Sequence, residues 1–152
     1  MARSPAGGAP LKLLAHDADD LRVISAALQD AVLKVGDIRW EPSARRLTLA
    51  VNRFRWERGE RSRERVRSAL QFGDVIEVKA RRIRREARDA VLELLAITFE
   101  PAGEEDPGGV VTLAFAGDGD LRLHVEAVEV LLSDLSAPWP TPRAPRHDLS
   151  PE

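Results

Sequence analysis

Leu21, Ile24, Leu28 and Ala31 recur at helical spacing, with Arg22, Ser25 and Gln29 set between them. That period predicts an amphipathic helix from Asp19 to Ala31 with its apolar stripe turned to the core. Asp17, Asp19 and Asp20 stand at its start, where carboxylates accept from the free N–H groups of a first turn. Upstream, Leu11 to Leu14 is a short apolar segment that reads as a first strand.

Beyond Ala31 the hydrophobic period changes to two. Val35 to Trp40 predicts a strand, Glu41 to Ala44 a turn, and Arg46 to Trp56 the return, with Leu47, Leu49 and Val51 on one face. Phe54 and Trp56 fall on the opposite phase, so a bulge is expected near Asn52. Arg65 to Phe72 fits strand and helix alike. Gly73-Asp74 turns the chain into a strand over Val75 to Ile83, and Ala90 to Phe99 predicts another. Gly117-Asp118-Gly119-Asp120, between Val110 to Ala116 and Leu121 to Val125, is a tight hairpin signal. Glu126 to Leu135 reads as a short helix gathering Val128, Leu131 or Leu132, and Leu135. The alternation of Val128, Val130 and Leu132 keeps a strand open as the alternative.

These elements predict an α+β fold, because no strand alternates with a crossover helix as a parallel sheet requires. The expected sheet is mostly antiparallel, a curved sheet or split barrel of about six to eight strands, with an N-terminal helix and room for a short C-terminal one. Pleckstrin-homology-like barrels share that order of elements, a likeness of architecture that carries no function. Residues 1–10, rich in Ala, Gly and Pro, read as a disordered tail, residues 11–135 as one domain, and residues 136–152 as a Pro-rich tail. Trp139 changes that last expectation: docking its indole recovers roughly 2 kcal/mol of apolar burial, so it is expected to pack back on the domain.

Composition narrows the chemistry. The chain of 152 residues is 43% apolar and 32% charged, too apolar for wholesale disorder. It has no cysteine, which removes disulfides, thiolate metal sites and cysteine nucleophiles. No apolar run exceeds Leu94 to Ile97, which is too short for a spanning helix or the core of a secretory signal. No membrane contact is therefore expected.

Charge is unevenly spread. Residues 1–100 hold 20 of the 23 basic side chains against 15 acids, whereas residues 101–152 hold 3 against 10. Arg53 to Arg67 alone contains seven arginines and three glutamates, with Phe54 and Trp56 interleaved. Guanidinium forks bind phosphate bidentately and aromatic faces stack on unpaired bases, so Arg53, Arg55, Trp56, Arg58 and Arg61 are candidate contacts to RNA or another polyanion. Arg81, Arg82, Arg84 and Arg85 form a second run that would lie beside the first if their strands pair. Against this stand Glu57, Glu60 and Glu64, whose spacing from the arginines suits self-paired charge on a solvated flap. Arginine also outnumbers lysine 20 to 3, a bias that a genome rich in G and C produces everywhere.

Catalytic candidates are few. His16, His124 and His147 lack a second histidine or an acid at metal-binding spacing, so no metal or cofactor site is expected. Asp118-Gly119-Asp120 lacks the closing glutamate of a calcium loop and reads as a turn. Phosphate-cradling, dinucleotide and nucleophile-elbow glycine motifs are all absent. An enzyme is not expected.

Several blocks resemble a small uncharacterised family of alphaproteobacterial proteins, a domain of unknown function. They are Leu28-Gln29-Asp30-Ala31-Val32, Lys34 with Gly36-Asp37-Ile38, and Asn52-Arg53-Phe54-x-Trp56-Glu57. Leu94-Leu95-Ala96-Ile97-x-Phe99-Glu100-Pro101, Val111-Thr112-Leu113-x-Phe115 and Leu121-Arg122-Leu123-x-Val125-Glu126-Ala127 continue the likeness. Asp134-Leu135, Pro138-Trp139-x-Thr141 and Pro145-x-His147 extend it to the end, from about Leu11 to His147. The resemblance implies a bacterial cytosolic protein whose gene often neighbours those of histidine biosynthesis and cell-wall precursor synthesis, and it transfers no activity or ligand. The expected function is thus a non-catalytic module, a monomer or homodimer, that binds a protein partner. RNA or polyanion binding through residues 53–67 and 79–88 is the alternative.

Overall fold

A computed structural model describes residues 10–59 and 63–141 of the chain. Its helix, α1 (Ala18–Ala27), begins where Asp17 Oδ1 accepts from the Asp20 N–H at 2.8 Å, and Asp20 returns a bond to the His16 N–H. Leu21, Ile24, Leu28 and Ala31 are all buried, as their spacing requires. The helix nevertheless stops before Ala31. Asp30 turns left-handed (φ 63°), its N–H donates to the Leu94 carbonyl, and Leu94 donates back to Ala31, both at 2.8 Å. Pairing with a distant strand outcompetes another helical turn.

Eleven strands are present among the described residues. They are β1 (Lys12–Ala15), β2 (Val32–Lys34), β3 (Ile38–Glu41), β4 (Arg46–Phe54), β5 (Glu64–Phe72) and β6 (Val75–Arg81). After them come β7 (Val91–Pro101), β8 (Gly109–Phe115), β9 (Asp120–Val125), β10 (Val130–Asp134) and β11 (Trp139–Pro140). All pairs are antiparallel, in the order β1-β10-β5-β4-β2-β7-β8-β9-β6, with β3 on β4 and β11 on β5. The count exceeds the sequence expectation by β2 and β11, which at three and two residues are too short to show a period, and by β10, which the sequence reads as a helix.

Two local expectations need correction. Glu126 to Leu135 does not form a helix: Val130–Asp134 is strand β10, paired with both β1 and β5. The alternation wins, with Val128, Val130 and Leu132 buried while Leu135 stays 61% exposed. No bulge interrupts β4 at Asn52 either, since the register runs unbroken from Leu47↔Phe72 to Phe54↔Arg65. The inward phase simply continues through Arg53, and Phe54 is buried on the other face beneath Trp56, ring centroids 4.6 Å apart. The irregularities fall instead between Val75 and Glu77 and between Leu94 and Ala96.

Sheet curvature follows from one connection. Gly73-Asp74 joins β5, inside the sheet, to β6 at its far edge, so that edge must bend round to meet the first half. Backbone bonds lace the corner: Val75 N–H to Arg45 O, Glu126 N–H to Asp74 O and Gly73 N–H to Glu129 O, at 2.8–2.9 Å. The enclosed core draws on both halves and α1, from Leu47, Leu49 and Leu70 to Leu113, Leu121 and Leu123. Trp139 returns to the domain through β11, opposite Arg65, yet its residue is 37% exposed. Backbone pairing, more than indole burial, holds it there.

Candidate binding site

The arginine-rich stretch is not a solvent flap at its start. Arg53 has no exposed surface, and all five of its N–H donors are engaged. Nε and Nη2 meet the two Asp134 oxygens at 3.0 and 2.9 Å, and Nη1 and Nη2 meet the two Glu57 oxygens at 2.8 Å each. The remaining Nη1 proton reaches the Phe54 carbonyl at 3.4 Å. Asp134 also accepts from the Leu11 N–H and the Ser68 hydroxyl, both at 2.7 Å. Arg53 therefore ties β4 to β10 and to the short turn at Trp56–Arg58.

Its neighbours are drawn in with it. Arg55 is 3% exposed and donates to Glu64 at 2.8 Å, and the Trp56 indole donates to the Gln29 carbonyl at 2.9 Å. Arg58 is exposed, whereas Arg61 lies outside the described residues, as do His147 and most of both expected tails. The i to i+4 spacing of Arg53 and Glu57 signals the pairing correctly. It misjudges the direction because Asp134, the second carboxylate, lies 81 residues away.

Burial alone would raise the Asp134 carboxyl, but hydrogen bonds from Arg53, Leu11 N–H and Ser68, with the Arg53 charge, hold it below its ordinary value. Burial opposes and Arg53 likewise overrides at Glu57, also depressed. Carboxyls depressed in the folded state add stability above their unfolded values, and that contribution is lost as pH falls through the folded ones. Urea-unfolding stability should thus decline below about pH 4.5, and Asp134→Asn should decline less steeply across the same window. Identical slopes for the two proteins would show that Asp134 ionisation is not linked to folding.

The second arginine run does not lie beside the first through strand pairing, because β6 pairs with β9 and not with β4 or β5. Arg81 bonds Asp120 at 2.6 Å, Arg82 pairs with Asp118, and Arg84 sits 3.6 Å from Glu86. Arg85 is exposed and has no ion pair among the described residues. It instead lines a groove of about 530 Å³ between β3 and β6.

That groove has an apolar floor and a basic lip. Ile38 and Trp40 enter from β3, Val78 and Ala80 from β6, with Val35, Leu47, Ile83 and Leu121 beneath and beside them. Arg85 and Arg88 complete the lining, which includes no carboxylate, imidazole or hydroxyl side chain. Two backbone bonds tie the segments that carry its lining, Val75 N–H to Arg45 O at 2.9 Å and Gly36 N–H to Arg88 O at 2.8 Å. Nothing in the local pattern marks Trp40, Ile83 or Arg88 as a group. Only the alternations Ile38-x-Trp40 and Val78-x-Ala80 hint that each strand has one apolar face.

Histidines stand elsewhere. His16 lies 3.5 Å from Glu129, and His124 shares the outer face of β9 with Arg122, beside Glu77 and Lys79 of β6. Among the described residues no three His, Cys, Asp or Glu side chains are placed to hold a metal ion. No described helix is long and apolar enough to cross a membrane.

A family profile described as "Protein of unknown function (DUF2948)" matches residues 11–147. The chain belongs to the DUF2948 family. No curated protein and no solved structure matches the chain. The DUF2948 match spans both the Arg53 network and the groove, and its description names no ligand for either.

Proposed function

We propose that this DUF2948 domain is a non-catalytic binding module that takes a segment of a protein partner into the groove between β3 and β6. The single observation that carries this reading is an apolar-floored cleft with an arginine at its lip, Arg85, that has no ion pair among the described residues. About 530 Å³ falls within the usual range of binding clefts, and apolar walls with a few charged groups are their usual composition. A lining of aliphatic residues, one tryptophan and two arginines supplies contact area and charge, and no nucleophile or proton-transfer group. The cytoplasmic setting implied by the sequence resemblance belongs to the same proposal.

Polyanion binding is the weaker reading. Arg53 and Arg55 face internal carboxylates, and Arg81, Arg82 and Arg84 have acidic neighbours, so much of the basic excess is neutralised within the chain. Selection of a displayed random-peptide library on the immobilised domain tests the leading reading. Enriched peptides should bind wild type and lose at least about tenfold in affinity on Ala80→Glu, which alters an exposed lining position. Enrichment indifferent to Ala80→Glu would place the protein contact elsewhere. Single-stranded RNA binding that weakens steeply with salt would favour the polyanion instead.

A further inference from the structure

The groove is also a gap in the sheet. β6 pairs only with β9, and β3 only with β4, so each presents an outer edge without a strand partner among the described residues. Side chains from both strands line the same groove, and backbone bonds tie Val75 to Arg45 and Gly36 to Arg88. Along residues 76–81, β6 makes backbone pairs only with β9 among the described residues, which leaves its groove side open. An unpaired strand edge is a row of N–H and C=O groups ready to template another strand.

We infer that the partner's segment binds in extended form as an added β-strand along the groove edge of β6. Side chains of an added strand alternate between faces, so every second one would enter the floor between Trp40 and Val78. Those positions select apolar side chains. Arg85 and Arg88 stand at the end toward which β6 runs, and no carboxylate lines the groove to neutralise them. The complementary segment is therefore an alternating apolar peptide carrying an Asp or Glu at that end. Main-chain bonds give such a complex its affinity, and the alternate pockets and the acidic residue its specificity.

This inference rests on the groove reading proposed above, and the experiment separates the two. The probes are synthetic peptides of about seven residues, the length of β6, alternating valine with threonine and ending in aspartate at either terminus. Two matched sets are N-methylated, one at the odd and one at the even amides, which removes alternate ladder donors and keeps the side chains. Binding is followed by Trp40 fluorescence in a Trp56→Phe, Trp139→Phe background, since the chain has three tryptophans. Hydrogen exchange at residues 76–81 reports the ladder itself. Strand addition expects N-methylation of one of the two alternate sets to weaken binding about tenfold or more, with slowed exchange in β6. It also expects Arg85→Gln to remove the preference for aspartate over asparagine. Peptides that bind, are lost on Ala80→Glu, yet ignore both methylation sets and leave β6 exchange unchanged overturn strand addition and keep the groove. Absence of binding across the whole panel, or binding indifferent to Ala80→Glu, overturns both.

Discussion

Asp134→Ala is expected to lower unfolding stability by about 3–5 kcal/mol, with a fall in the melting midpoint of roughly 10 °C or more. The substitution leaves the Arg53 guanidinium, fully buried, with Glu57 as its remaining carboxylate, and strips acceptors from Ser68 and the Leu11 N–H. A buried charge that loses its partner costs its desolvation, whereas replacing both partners by apolar groups is often neutral. The double variant Arg53→Met, Asp134→Leu should accordingly recover much of the loss, a coupling that urea denaturation of the full cycle measures. Asp134→Asn, which keeps an acceptor but no charge, should fall between. Loss below about 1 kcal/mol for Asp134→Ala would mean that water reaches Arg53 and that the network is no drier than a surface pair.

Gly109→Ala is the second large effect. Gly109 opens β8 between Pro101 of β7 and Val125 of β9. An added methyl would lie inside van der Waals contact with the Glu100 carbonyl oxygen and 2.9 Å from the Phe99 ring. The first of these is backbone in the neighbouring ladder, so relief requires moving a strand. The expected cost is about 3 kcal/mol or more, at the top of the usual overpacking range. Gly117→Ala provides the contrast, because Gly117 has φ 87° with no atom near its would-be Cβ. That change should cost only the left-handed backbone penalty, about 1 kcal/mol. Equal losses in the two variants would show that conformation, and not contact, is what Gly109 supplies.

Much of the fold is legible in local pattern. The Leu21, Ile24 and Leu28 stripe lies on α1 and is buried, and Asp17 caps it. Gly117 and Asp118, both at positive φ, make the β8–β9 hairpin that their residue types demand. Where two periods fit, as over Val128 to Leu135, the strand emerges because β1 and β5 offer partners on both sides. Composition and spacing hold no information about those neighbours. The arginines show the same division more sharply. Glu57 at i+4 announces that Arg53 is paired, yet whether the pair faces water or the interior depends on Asp134.

The groove was legible least of all. Its walls come from segments about forty residues apart, brought face to face only because Gly73-Asp74 carries β6 to the opposite edge of the sheet. The chain alone determined the helix, the hairpins and an antiparallel α+β class, since periodicity and turn chemistry act over a few residues. Tertiary structure decided which arginines are interior and which strand edges are left open. Both depend on strand order, and strand order is set by long-range pairing that the linear pattern does not encode.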